Sequence, residues 1–221
     1  MTTSSAPTAP RRALATRNAR WVRTLAWRLR GYGIRPNAVS MAGVGFAVAS
    51  ATAFFLSAEF TDHRRAALLV GAAAGIQLRL LCNLLDGMLA VECGLKSATG
   101  EIFNDLPDRL EDVVILAGAG YAVRELPFVP ILGWAAAVAA VFTAYVRVLG
   151  GSLGLTQHFT GPMAKQHRMF TLTVAALLAA VEAFTGVSAR AIPVGLAAIV
   201  AGSLATAVRR TRRVLAEASA R

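Results

Sequence analysis

The chain has 221 residues, of which 56% are hydrophobic and only 16% are charged, and its net charge is +11. This composition is too apolar for an ordinary soluble domain and predicts one membrane-embedded domain. The positive charge comes almost entirely from arginines near the ends of apolar runs, which suits anionic lipid headgroups and disfavours a nucleic-acid partner. The two cysteines, Cys82 and Cys93, have no metal-ligand partners at useful spacing.

The N-terminal region divides into two predicted segments. Residues 1–10 are rich in Ser, Thr and Pro and carry no charge, which predicts a disordered tail. Residues 11–35 contain eight arginines interleaved with Trp21, Trp27 and aliphatic side chains, a pattern typical of a basic amphipathic helix in the membrane interface. The alternative, a solvated basic tail, is disfavoured by the two tryptophans. Pro36 then biases Arg35 away from the helical region and predicts a turn into the first span.

Apolar stretches between residues 36 and 208 predict an all-α domain of six transmembrane helices. The stretches are 38–58, 66–90, 102–123, 126–146, 169–189 and 191–208. The first holds 21 residues without a charge, and a helix of that length covers about 31 Å, enough to cross the hydrocarbon core. Six spans put both termini on one side, and the arginine-rich ends assign that side to the cytoplasm, with residues 209–221 as a basic tail.

The second and third spans carry polar side chains that a lipid-facing helix could not hold, so they are predicted to line a wet cavity. Asn83 and Asp86 are three residues apart and share one helix face. Asn104, Asp108 and Asp112 are four apart and share another. Carboxylates brought so close repel one another unless a cation lies between them. Oxygen ligands favour a hard divalent ion, Mg²⁺ or Mn²⁺, of the kind that bridges to substrate phosphates.

The spacing of these groups resembles the motif D-x2-D-G-x2-A-R-x8-G-x3-D-x3-D of the CDP-alcohol phosphatidyltransferase family, without insertion or deletion. Five of its eight fixed positions are kept: Asp86, Gly87, Ala90, Gly100 and Asp108. The resemblance covers essentially the chain, because it includes the basic N-terminal helix, the G-I-x-P-N-x-V-S entry to the first span, the six spans and Arg147 near the cytoplasmic end of the fourth.

Three positions depart from the family motif. Asn83 and Asn104 stand at the first and third acidic positions, and Val91 stands at the arginine. An amide oxygen can ligate a metal but brings no charge. The candidates to compensate are Glu101, Asp105 and Asp112. Arg79, one turn before Asn83, could supply the charge missing at Val91, and pairing of Arg79 with a carboxylate of the third span is an equally open alternative.

The resemblance implies an enzyme of phospholipid biosynthesis in the cell membrane. It would transfer a phosphatidyl or other phospho-alcohol group from a CDP-linked lipid, such as CDP-diacylglycerol, to an alcohol acceptor, with release of CMP. The implied Mg²⁺ or Mn²⁺ ligands are Asn83, Asp86, Asn104 and Asp108, with Asp108 also the base that activates the acceptor hydroxyl. The implied substrate-binding positions are Gly87, Ala90, Gly100, Arg79, Arg147, Lys165 and Arg168. Homodimers are usual in the family.

Three alternatives remain open from the residues. The departures at Asn83, Asn104 and Val91 also suit a catalytically inactive relative that binds CDP-lipid. Intramembrane carboxylates are equally expected in a small transporter, although no internal repeat is visible. The basic residues Lys165 and Arg168 also fit a purely topological role on the cytoplasmic side.

Overall fold

The computed structural model describes residues 20–95, 99–186 and 190–220, with the side chain of Glu101 excepted. These residues form seven α-helices and no strand, so the all-α prediction is confirmed for the described part of the chain. The helices are α1 (Arg20–Gly31), α2 (Pro36–Ser57), α3 (His63–Val91), α4 (Gly100–Tyr121), α5 (Phe128–Ser152), α6 (Lys165–Thr185) and α7 (Ala191–Ser219). The predicted tail 1–10 and residues 11–19 of the interfacial segment lie outside the described residues.

Five helices, α2, α3, α5, α6 and α7, are long and apolar enough to cross a membrane, which makes the chain a multi-pass membrane protein. Helix α4 has 22 residues and is also long enough, but its acidic first half makes it less apolar than the other five. The sixth span therefore stays a prediction. Residues 209–219, predicted as a tail, continue α7 as a helix.

The six long helices pack as a closed ring in the order α2, α4, α5, α7, α6, α3, so the chain order and the spatial order differ. Helix α1 lies against α3 through Val22 and Ala26, which are buried. Trp21 and Trp27 are 58% and 50% exposed. An amphipathic helix with exposed tryptophans is the form expected at a membrane interface.

Small residues let α4 approach both of its neighbours closely. A Cβ added to Gly118 would lie 2.7 Å from the Cβ of Ala51 in α2, and one added to Gly133 in α5 would lie 2.8 Å from the Cα of Gly120. Such contacts replace the hydrophobic driving force that is missing between helices in lipid. They fix α4, which carries much of the predicted site, between α2 and α5.

The turn into the first span is as predicted. Arg35 has an extended backbone, with φ −89° and ψ 152°, and helix α2 begins at Pro36. Proline suits this first helical position because the missing N–H would have no partner there.

Candidate active site

A cavity of about 680 Å³ lies among α1, α3, α4, α5, α6 and α7. Its lining combines apolar side chains, such as Leu78, Leu81 and Phe170, with polar and charged groups. Those groups include Asn83, Asn104, Asp105, Asp108, Arg109, Arg147, Lys165, Arg168 and Arg210. A cavity of this mixed character can receive an amphipathic molecule with a charged head.

Asp108 lies at the centre of the polar lining. Its Oδ1 accepts hydrogen bonds from Asn83 Nδ2, at 2.5 Å, and from Lys165 Nζ. Its Oδ2 lies 3.6 Å from Arg109 Nη2, beyond hydrogen-bond distance. The side chain is 13% exposed. The carboxylate is therefore oriented through Oδ1, whereas Oδ2 forms only the longer ion pair with Arg109.

A buried ionic network lies behind this carboxylate. Arg79 is fully buried, and its Nε donates to Glu111 Oε2. Its Nη2 donates to Asp112 Oδ1 at 2.7 Å. Arg168 Nη2 donates to the other oxygen of Asp112 at 2.8 Å. The network joins α3, α4 and α6. Of the two roles left open for Arg79 by the sequence, the structure shows pairing with carboxylates of α4.

The three proposed compensating acids have separate positions. Asp105 is 45% exposed and accepts two hydrogen bonds from Arg147 Nη2, at 2.8 and 2.9 Å. Asp112 is held by Arg79 and Arg168 through both oxygens. The Glu101 side chain lies outside the described residues. Both carboxylate oxygens of Asp105 and of Asp112 thus already accept hydrogen bonds from arginines, and neither residue offers a free oxygen to Asn83.

The remaining predicted positions divide between the cavity wall and its surroundings. Asn104 is exposed and lines the cavity one turn before Asp108. Gly87 and Ala90 are half-buried in the last turns of α3, and Gly100 begins α4. These three positions do not line the cavity.

Glu111 is a site residue that the sequence reasoning missed. It is 1% exposed, and its Oε2 lies 3.4 Å from Asn83 Nδ2. Its position three residues after Asp108 and seven after Asn104 places it on the same face of α4. That spacing is the signal that could have found it.

The donor chemistry of the site fits a hard divalent cation. Asp86 is 3% exposed, and its Oδ2 accepts a hydrogen bond from Ser40 Oγ at 2.7 Å. Its Oδ1 is buried without a hydrogen-bond partner among the described residues. No three His, Cys, Asp or Glu side chains converge as a metal-binding group in the described ranges. A cation here would therefore take amide or hydroxyl oxygens as well as carboxylates, which Mg²⁺ and Mn²⁺ accept.

Basic side chains also line the cavity. Arg147 lies over the ring of Phe159, with its guanidinium carbon 5.1 Å from the ring centroid. Arg210 of α7 donates to the carbonyls of Thr143, at 2.7 Å, and Phe159, at 3.0 Å. These contacts anchor the segment between α5 and α6 on α7, directly before Lys165.

Fold and site together define a multi-pass helical membrane protein whose cavity is lined by carboxylate, amide and basic side chains. No family model matches the chain. A phosphatidylinositol phosphate synthase of Streptomyces avermitilis is 27% identical over 199 residues, which are 85% of this chain and 76% of that protein.

Two solved structures of phosphatidylinositol phosphate synthase from Mycobacterium tuberculosis share the fold. One, with CDP-DAG bound, has a TM-score of 0.73 at 23% identity and covers 89% of this chain and 94% of its own. The other, in complex with manganese and citrate, has a TM-score of 0.73 at 22% identity, with 88% of each chain covered. The chain is thus a homologue of phosphatidylinositol phosphate synthases, which are members of the CDP-alcohol phosphatidyltransferase family. The predicted resemblance is confirmed.

Proposed function

We propose that the chain is a phospholipid-biosynthesis transferase that moves a phosphatidyl group from a CDP-linked lipid to an alcohol and releases CMP. The observation that carries the proposal is Asp108, which Asn83 and Lys165 orient at the wall of a cavity lined by further basic side chains. The homology to phosphatidylinositol phosphate synthases supports it. The donor proposed is CDP-diacylglycerol, which one of the solved relatives binds.

The chemistry follows from the positions of the side chains. Asn83, Asp86, Asn104 and Asp108 would hold a Mg²⁺ or Mn²⁺ ion, which supplies charge neutralisation at the pyrophosphate. Asp108 Oδ2 takes the proton of the acceptor hydroxyl. The acceptor oxygen then bonds to the phosphorus that carries the lipid, and the bond from that phosphorus to the CMP oxygen breaks. Lys165, already at Asp108, places a fixed positive charge beside the reacting phosphates.

The proposed acceptor is an alcohol that carries its own phosphate. The lining contains two carboxylates, Asp105 and Asp108, and five basic side chains. The basic side chains are Arg109, Arg147, Lys165, Arg168 and Arg210. Even without Arg168, whose partner is Asp112, basic side chains outnumber carboxylates in the lining, which favours an anionic ligand. Guanidinium groups match phosphate oxygens in geometry.

The proposed orientation puts both termini and the mouth of the cavity in the cytoplasm of a cell membrane. Arg209, Arg210, Arg212 and Arg213 lie near the end of α7, beside the segment that precedes Lys165. Arginines concentrate on the cytoplasmic side of membrane proteins. CDP-linked and phosphorylated substrates would reach the cavity from that side.

The test is CMP release by the purified chain in vesicles that contain CDP-diacylglycerol and Mg²⁺ or Mn²⁺. Acceptors are offered in pairs: inositol phosphate against inositol, and glycerol 3-phosphate against glycerol. We expect release with a phosphorylated acceptor and about a 100-fold loss in Asp108→Asn, which keeps the shape but cannot take the proton. Glu59→Gln, at the exposed pair with Arg124, is the control and should keep full activity.

The competing function is a catalytically inactive CDP-lipid binder. It is favoured by the three departures from the family motif, Asn83, Asn104 and Val91. CDP-lipid binding without CMP release from any acceptor would support the binder, and full activity of Asp108→Asn would refute the mechanism. Release with unphosphorylated acceptors alone would refute the anionic acceptor.

A further inference from the structure

We propose that Glu111 supplies, from α4, the carboxylate that Asn83 lacks, and that it joins Asn83 and Asp86 as an oxygen ligand of the divalent cation. The inference rests on the proposed function, because it assigns ligands for that reaction. Glu111 lies outside the motif positions that the resemblance identifies.

Two buried carboxylate oxygens without partners point to a ligand. Glu111 is 1% exposed and Asp86 is 3% exposed. Among the described residues, Glu111 Oε1 and Asp86 Oδ1 have no hydrogen-bond partner. Leaving a charged oxygen buried and unpaired is costly, so each oxygen is expected to meet a cation or water in the working protein.

One face of α2 borders both carboxylates. Ser40 Oγ donates to Asp86 Oδ2 at 2.7 Å. Gly43 follows three residues later on the same face, and a Cβ added there would lie 2.8 Å from Glu111 Oε1 and 3.6 Å from Asn83 Oδ1. The glycine thus leaves a small space with oxygens from α3 and α4 at its edge. The Asn83 amide is turned the right way, because its Nδ2 donates to Asp108.

The fixed charges leave room for a cation in this inner group. Asp86, Glu111 and Asp112 are three carboxylates, whereas Arg79 and Arg168 are the two cations bonded to them among the described residues. Asp112 takes one bond from each arginine, Glu111 takes one from Arg79, and Asp86 meets a hydroxyl. One negative charge therefore remains beside the two unpaired oxygens. The nearby Arg79 also opposes the ion, so the site should bind it more weakly than a site with Asp in place of Asn83.

The test is Mn²⁺ binding to the purified full chain without substrate, followed by the electron paramagnetic resonance signal of the free ion. We expect saturable Mn²⁺ binding by the parent. In Glu111→Gln the Mn²⁺ affinity should be weaker by about 10-fold or more. Asn83→Asp/Glu111→Gln should recover binding, because it returns a carboxylate to the site without returning the partner of Arg79. Glu59→Gln should bind as the parent does.

Unchanged Mn²⁺ affinity in Glu111→Gln, or no Mn²⁺ binding by the parent, would overturn the inference. If Glu111→Gln does not fold, Asn83→Asp in the parent decides: tighter binding supports the site and unchanged affinity refutes it. CMP release is measured separately in the parent. If CMP is released but Mn²⁺ binding does not depend on Glu111, the proposed function stands and this inference fails. If Mn²⁺ binding depends on Glu111 but no acceptor gives CMP release, this inference stands and the proposed function fails.

Discussion

The buried pair of Arg79 and Glu111 allows a sharp stability prediction. Arg79→Met keeps a long unbranched side chain in α3 but removes the positive charge that pairs with Glu111 and Asp112 of α4. Asp112 retains Arg168, whereas Glu111 retains only a 3.4 Å contact with Asn83 among the described residues. Both side chains of the pair are fully buried. Removing one partner of such a pair costs about 3–5 kcal/mol, since an uncompensated charge stays buried.

The size of the effect can be set against two matched variants. A loss of about 3–5 kcal/mol corresponds to a fall in melting temperature of about 6–20 °C for a chain of this length. Arg79→Met/Glu111→Leu removes both charges and should recover most of the loss, because an apolar pair can replace a buried ion pair of similar volume. Arg124→Met breaks an exposed pair with Glu59, with side chains 38% and 47% exposed, and should cost less than about 1 kcal/mol.

Thermal unfolding is followed by intrinsic tryptophan fluorescence in one detergent for all four proteins. The reasoning is refuted if Arg79→Met melts within about 2 °C of the parent, a shift worth less than about 1 kcal/mol. It is also refuted if the double variant melts as low as Arg79→Met, since the loss would then come from packing and not from the unpaired carboxylate.

Two further predictions concern helix packing and the site. Gly118→Ala should destabilise the chain by about 1–3 kcal/mol, because its Cβ would collide with Ala51. Gly71→Ala, whose Cβ would have nothing within 4 Å, should be neutral or stabilising in the same melting assay. Equal melting temperatures of the two variants would contradict the close approach of α2 and α4. Lys165→Gln should lower the rate of CMP release about 100-fold, and Lys165→Arg should keep more of it, because the fixed charge beside Asp108 is what the reaction uses. Parental activity in Lys165→Gln would show that Lys165 has only a topological role.

The membrane class, the helical architecture and the family resemblance could be read from the sequence. Long apolar runs have few structural outcomes in lipid, where every backbone polar group needs an internal partner, so hydropathy alone predicts the helices well. The spacing from Asn83 to Asp108 also pointed to side chains of α3 and α4 that line the cavity, because helical periodicity determines which side chains share a face. The first half of α4 shows the limit of that approach, since its charges leave the sixth span a prediction.

Only the tertiary structure decided which charges meet. Arg79, Asp112 and Arg168 are far apart in the chain and come together because α3, α4 and α6 border one interior. Asp105 was one of three candidate compensating acids by sequence, but its position around α4 turns it to Arg147. Glu111 took no part in the motif, yet helix packing places its Oε2 3.4 Å from Asn83 Nδ2. Periodicity determines the face of one helix, whereas the partner on the next helix depends on how the ring of helices packs, which local sequence does not encode.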